Sequence, residues 1–509
     1  MFKKHPKGLL SAALANMGER FGFYTMMAIL SLFLMSKFGL DETSAGIIYS
    51  IFYFSIYILA FVGGIIADKT KNFKGTILIG LILMAVGYFI IAYPTPTPVP
   101  STSFVFFLSL TCFGLFVIAF GNGLFKGNLQ ALVGQMYDNE KYSKMRDSGF
   151  SLFYMFINVG AIFAPLAAVG VRNWWVKSHG FEYNSSLPEL CHAHLNGTIN
   201  EKGVTSLQEL ATTVGFKGTD MTTFCNEYLN LFTTGFHYAF AVAILAMAIS
   251  LVIYILNKKK FPDPLTKAHI AGSAIKEMDI AETKQRLYAL FAVFAIVIFF
   301  WFSFHQNGLT LTFFAKDYTN LSSINLNLGF TTLKGAELFQ SINPFFVVFL
   351  TPVVLAFFGW LRAKGKEPST PKKIAIGMGI AAIAYILMVL GSLNVPSKEA
   401  LTTMGGLPDS ERITPFLLIG TYFILTVAEL FISPLGISFV SKVAPPKYQG
   451  MMQGLWLCAT AVGNSLLFIG AIFYKSIPIS LTWTMFVVAC LISMFTMIIM
   501  LKWLEKVAK

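Results

Sequence analysis

Apolar and polar positions along this chain neither alternate with a strand period nor mark one face of amphipathic helices. They form long apolar runs separated by short polar breaks. About 20 apolar residues are needed for a helix to cross a bilayer, whereas barrel strands read as ten-residue alternating segments. Twelve runs of helical length can be drawn, at residues 9–37, 44–67, 75–94, 103–136, 148–170, 234–257, 285–315, 336–361, 373–392, 414–441, 449–474 and 479–503. The pattern predicts an all-α polytopic membrane protein with twelve transmembrane helices in two six-helix bundles. The N-terminal bundle takes residues 1–257, a linker takes 258–284, and the C-terminal bundle takes 285–509. A second long polar segment, 171–233, joins runs five and six, with a short helix expected near 205–213.

Composition removes the soluble alternatives. Of 509 residues 55% are apolar and only 12% charged, about half the charge of a soluble domain. The net charge of +13 raises the question of nucleic acid, but the basic residues sit in short loops between spans and form no nucleic-acid motif. Their placement sets orientation instead. An even number of spans puts both termini on one side, where 26 of the 38 lysines and arginines lie, against ten on the other. Both termini are therefore expected in the cytoplasm, the protein in the inner (plasma) membrane, and segment 171–233 outside. The run from Leu9 continues into Glu19 and Arg20 without a small-residue cleavage site, so a removable signal peptide is not expected.

Charge inside a span is the main functional signal, because an ionisable group at the bilayer centre costs at least about 2.5–3.5 kcal/mol. Glu19 and Arg20 lie in span one, Lys126 in span four, His305 in span seven and Glu429 in span ten. Either they lock helices together as ion pairs or they line a solute path. Arg20 and Tyr24 share a helix face, and Glu19 is rotated about 100° from Arg20, which leaves Lys126 as the expected partner of Glu19. His305 titrates near neutrality when unperturbed, or is a neutral, hydrogen-bonded core histidine. Asn158, Asn343 and Asn464 are further polar points, and Pro344 is expected to interrupt span eight. Cys191 and Cys225 both fall in the external segment, where an oxidising exterior permits a disulfide; two free thiols are the alternative. There is no H-E-x-x-H, no G-x-S-x-G in context and no Cys/His cluster. An enzyme, a metal and a cofactor are all unexpected.

Several segments then resemble one family. Glu19-Arg20-Phe21-Gly22-Phe23-Tyr24 is similar to the span-one E-x-x-E-R-F-x-Y-Y motif of the proton-coupled oligopeptide transporters, which have the major facilitator fold. Phe153-Tyr154-x-x-Ile157-Asn158-x-Gly160 resembles that family's span-five pattern, and Gly121-Asn122-Gly123-Leu124-Phe125-Lys126 its glycine-rich span four. Gln340-Ser341-Ile342-Asn343-Pro344, Glu429 to Gly436 and Met451 to Trp456 resemble spans eight, ten and eleven. The resemblance implies import of di- and tripeptides with protons as the coupling ion, by alternating access and without a cofactor. It implies that Arg20, Tyr24, Lys126 and Asn158 hold the peptide carboxylate, and that Glu429 and Asn343 hold its amino group. Tyr57 matches a pocket tyrosine, while Trp301, Ser433 and Trp456 would shape side-chain pockets. Glu19, Arg20, Lys126 and His305 are the candidates for proton coupling. The partners expected are peptides, protons and the lipid bilayer, with no nucleic acid, and the protein is expected as a monomer.

The chain departs from the motif at Asn16, Phe23 and Met27, and it has His305 where the family commonly has a span-seven Glu. Met27 and His305 replace a pair of opposite charges, so the usual link between the halves is absent from both sides at once. The chain reads as an atypical bacterial member. Transport of another small solute with altered coupling, a membrane enzyme, and a receptor that binds peptide without moving it are the competing readings.

Overall fold

Local signals at the ends of the apolar runs decide where the helices start and stop. In the computed structural model, which describes residues 5–70, 72–137, 141–142, 146–262, 279–322, 324–445 and 449–507, Asn72, Asp220 and Ser369 cap helices by accepting from backbone N–H groups of Gly75, Thr222 and Lys372. These caps satisfy donors that the first helical turn leaves free. Gly39 ends the first helix in the left-handed conformation, at φ 63°.

The first half contains α1 (Lys7–Phe38), α2 (Glu42–Thr70), α3 (Phe73–Ala92), α4 (Phe104–Met136), α5 (Arg146–Ser178), α6 (Leu187–Leu195), α7 (Glu201–Thr213) and α8 (Met221–Asn257). The second contains α9 (Ile280–Phe304), α10 (Thr310–Tyr318), a two-residue hairpin of β1 (Leu326–Asn327) and β2 (Thr332–Leu333), then α11 (Ile342–Ala363), α12 (Thr370–Gly391), α13 (Lys398–Met404), α14 (Phe416–Val443), α15 (Gln449–Ser465), α16 (Leu467–Ser476) and α17 (Ile479–Val507). Twelve helices or joined helices among the described residues are long and apolar enough to span a membrane. Their outward side chains include Phe106, Leu256, Phe349 and Ile499, all strongly exposed, as a lipid-facing belt requires.

Three expectations are corrected. The sixth span begins at Met221, well before residue 234, and the polar segment before it folds into α6 as well as α7. Leu187, Cys191, Leu207 and Ala211 are buried there, so the loop has a small core of its own. Span seven is broken by a 3-10 turn over His305–Gly308, and span eleven between Ser465 and Leu467. Pro344 does not interrupt its span: it falls in the first turn of α11, where a missing N–H costs no helical bond. Most of the expected 258–284 linker, residues 263–278, lies outside the described residues.

Within the first group α1 packs on α5 and α8, α3 on α4 and α8, and α2 on α4; within the second α12 packs on α14 and α17, and α9 on α15 and α17. Glycine sets the closest of these approaches. A Cβ on Gly63 would lie 2.2 Å from the carbonyl oxygen of Gly123, and one on Gly123 would lie 2.5 Å from that of Leu59. The glycines of spans two and four therefore bring two backbones into contact, the usual role of small residues between membrane helices. Across the groups α2 meets α15 and α16, while α5 meets α11 and the turn before it. Polar links between the groups collect on the face opposite the termini. They include Lys475–Asp41 at 2.5 Å, Lys398–Glu42 at 3.1 Å, the buried Arg172–Glu337 pair and Asn173 donating to the Thr332 carbonyl at 2.7 Å. Between described residues no ion pair or hydrogen bond ties the groups together on the terminal face.

Candidate binding site between the two groups of helices

Glu19 and Arg20 are both buried in the middle of α1. Although they start about 100° apart on the helix, the long guanidinium turns back on its neighbour. Arg20 Nε lies 2.5 Å from Glu19 Oε2 and Nη2 lies 2.6 Å from Oε1. Asn122 of α4 donates to the same Oε1 at 2.6 Å. Glu19 is thus satisfied by Arg20 and Asn122, which corrects the expected pairing with Lys126. Lys126 lies one turn beyond Asn122 on α4, and its ammonium sits 4.3 Å from the centre of the Tyr57 ring on α2. It has no carboxylate within ion-pair distance among the described residues.

Tyr24 lies within hydrogen-bonding reach of Arg20, and the field of Glu429 reaches it from the other group of helices. The same field reaches Tyr57 and Tyr154. Glu429 of α14 accepts from Asn343 Nδ2 at 2.9 Å, and that amide also donates to Thr426 Oγ1 at 2.9 Å. No described cation neutralises Glu429. One group of helices therefore offers Lys126 and the other offers Glu429, each held by neutral partners only.

The remaining expected residues divide into two kinds. His305 opens the 3-10 turn, stacks on Trp301 at 5.0 Å, and meets Asn464 Oδ1 through Nδ1 at 2.5 Å. The acceptor there makes Nδ1 the donor of this bond. Tyr53 of α2 closes over the other side at 4.8 Å, so His305 is also a contact between the groups. Trp301 Nε1, Ser433 Oγ and Ser341 Oγ are buried without hydrogen-bond partners. Buried polar atoms are nearly always paired, so these three are available to a ligand. Trp456 instead is packed against Phe294 and Gly436. Asn158 turns back to the carbonyl of Tyr154 at 3.2 Å and is not brought to Lys126. Asn122, Tyr53 and Tyr154 were given no role in the sequence, although Asn122, a polar residue inside a span, and Tyr154, within the span-five pattern, carried a signal. Cys191 and Cys225 are both fully buried. They lie in contact as two thiols where a bridge was expected.

The POT family model matches residues 74–271 and 262–484. The chain belongs to the POT family. It is 30% identical over 480 residues to the uncharacterised transporter YclF of Bacillus subtilis, covering 91% of this chain and 87% of that one. It is 29% identical over 481 residues to the peptide transporter YePEPT of Yersinia enterocolitica, with the same coverage. Dipeptide and tripeptide permease A of Escherichia coli is 25% identical over 467 residues, covering 91% and 83%. A POT family transporter solved with 5-aminolevulinic acid covers 100% of this chain and 98% of its own, with a TM-score of 0.71 at 22% identity. The fold is that of the major facilitators, and this POT family chain is a membrane transporter rather than an enzyme.

Proposed function

We propose that this POT family member imports di- and tripeptides together with protons, by alternating exposure of the site between its two groups of helices. The terminal face is cytoplasmic on this reading, as the distribution of lysine and arginine indicates. The observation that carries it is the pair of uncompensated charges, Lys126 and Glu429, in opposite groups. Each is costly to bury alone, and a zwitterionic peptide supplies the missing partner to both. Lys126, Tyr24 and Arg20 would take the carboxylate, with Tyr57 beside them; Asn158 would have to turn from the Tyr154 carbonyl to join them. Glu429 and Asn343 would take the ammonium, and the free donors of Trp301 and Ser433 would meet the peptide's backbone or side chains, with Trp456 as the wall behind. Such a site reads the termini and leaves the side chains free to vary.

Glu19 is the proposed proton carrier. Protonation would release Arg20, not Lys126, toward the peptide carboxylate, so that proton and peptide favour the same state. A second reading, carriage of another small zwitterion, is favoured by the absence of the Met27–His305 charge pair and by the 5-aminolevulinic acid bound to one solved relative.

Uptake of a dipeptide into proteoliposomes, with and without an inward proton gradient, tests the main reading. Glu429→Gln should weaken binding of free dipeptide about 10–100-fold, as expected for loss of a charged hydrogen bond worth about 1.5–3 kcal/mol. An N-acetylated dipeptide should be little affected. Equal affinity of both proteins for the free dipeptide would refute the assignment.

A further inference from the structure

Above the closed end, on the face opposite the termini, a cavity of about 590 Å³ lies between the two groups of helices. That volume falls in the range of sites for small organic ligands. Its walls differ in charge. The first group lines it with Asp41, Glu42, Glu189 and His192, and the second with Lys316, Lys398 and Lys475 together with one acid, Glu399. The polarity is the reverse of the central site, where the first group is positive and the second negative. At the base, Lys398 and Glu42 are each 6% exposed, while at the rim Asp41, Lys475 and Glu189 are 37%, 48% and 41% exposed. The charges at the rim are therefore open to exchange with a solute.

The buried Glu42 is paired with Lys398, whose Nζ lies 3.1 Å from Oε1. Lys398 spreads its charge over three acids, with Asp317 Oδ2 at 3.1 Å and Glu189 Oε2 at 3.3 Å. We infer that this cavity is an outer receiving site for a zwitterionic peptide, distinct from the central one. The ligand ammonium goes to the Asp41, Glu42 and Glu189 wall, and its carboxylate to Lys475 and Lys398. Because these groups are among those that join the two halves, an occupant replaces some links across the gap with links to itself.

Protons are poor rivals for that role. Burial tends to raise the Glu189 carboxyl, but Lys398 and Lys316 hold it down at about 2. Asp41 is held at about 2 by Lys475 and Ser44 against a similar burial effect. Both pairings are complete above the ordinary carboxylate range and are lost only as pH falls toward 2. A mildly acidic exterior leaves them intact, whereas a charged solute competes for them directly.

The inference rests on the peptide reading for its ligand class, and equilibrium binding of labelled alanyl-alanine to the full-length protein separates the two. The central site is removed with Lys126→Gln and Glu429→Gln, and the outer one with Asp41→Asn and Lys475→Gln. The central double variant should retain one weak, salt-sensitive site, lost when the outer pair is also changed and not competed by N-acetylalanine amide. If wild type binds and the central variant does not, the outer site is refuted and the peptide reading stands. If wild type and the central variant bind equally weakly, the outer site stands and the central assignment falls. Absence of binding in every protein overturns both.

Discussion

Glu19 sits inside the apolar span of α1 with two donors on its carboxylate, the Arg20 guanidinium and the Asn122 amide. A carboxylate in an apolar span marks itself by its cost, so Glu19, Arg20, Lys126, His305 and Glu429 were legible as a set. Their partners were not, because a side chain as long as arginine can fold back on its neighbour and take the place expected for Lys126. With Arg20 and Asn122 both directed at it, the Glu19 carboxylate is the group whose protonation would change most around it. Glu19→Gln should therefore lose gradient-driven uptake while keeping exchange of peptide between equal pools. His305→Gln should keep at least part of the driven uptake, since His305 is bonded to the neutral Asn464 and flanked by Trp301 and Tyr53, with no carboxylate partner among the described residues. Transport in proteoliposomes by the two variants decides it: coupling lost with His305→Gln and retained with Glu19→Gln would reverse the assignment.

At the scale of elements, run length located the spans well because hydrocarbon thickness is a demanding constraint. It did not show the breaks at His305–Gly308 and after Ser465, since apolar residues resume on both sides of each, although the polar run His305-Gln306-Asn307-Gly308 carried a signal. Nor did it show that α8 extends back to Met221, because Asn226, Glu227 and Asn230 made those turns look like loop. The extension places Cys225 under α6, against Cys191. Burial pushes the Cys191 thiol up, and the neighbouring Cys225 pushes it further, so it is slow to form the reactive thiolate. Native protein should resist alkylation at both positions. After unfolding without reductant both should label, as mass spectrometry can show; failure of both to label would mean that the bridge forms after all.

Across the whole molecule, the sequence showed twelve spans in two sets of six but not how the sets are joined, because joining depends on pairs far apart in the chain. Asp41 and Lys475 are one such pair. The Asp41 carboxyl lies at about 2, below its unfolded value, with burial opposing and Lys475 and Ser44 lowering it. Its contribution should thus be constant from neutral pH down to about 5 and disappear as pH approaches 2. The difference in thermal stability between wild type and Asp41→Asn, followed against pH, measures this; a loss already at pH 6 would contradict it.

Arg172 and Glu337 are the stronger link, because neither is exposed at all. The guanidinium also lies 4.1 Å from the Tyr183 ring and 5.1 Å from that of Phe236, so aromatic faces rather than bulk solvent surround it. Removing one partner of a buried pair costs about 3–5 kcal/mol, whereas replacing both with apolar side chains is often neutral. The pair spans α5 and the turn before α11, so that cost falls on the state in which this end is closed. Glu337→Ala should shift the balance between closed and open forms by a factor of about 10² or more. Arg172→Met with Glu337→Met should restore much of it. Nitroxide labels at Glu182 and Glu411, exposed on the two sides of this face, report the separation. A longer distance in the single variant and recovery in the double one is the expected result. An unchanged distance in Glu337→Ala would mean that the closed end is held by the remaining contacts, and that this pair does not set the balance.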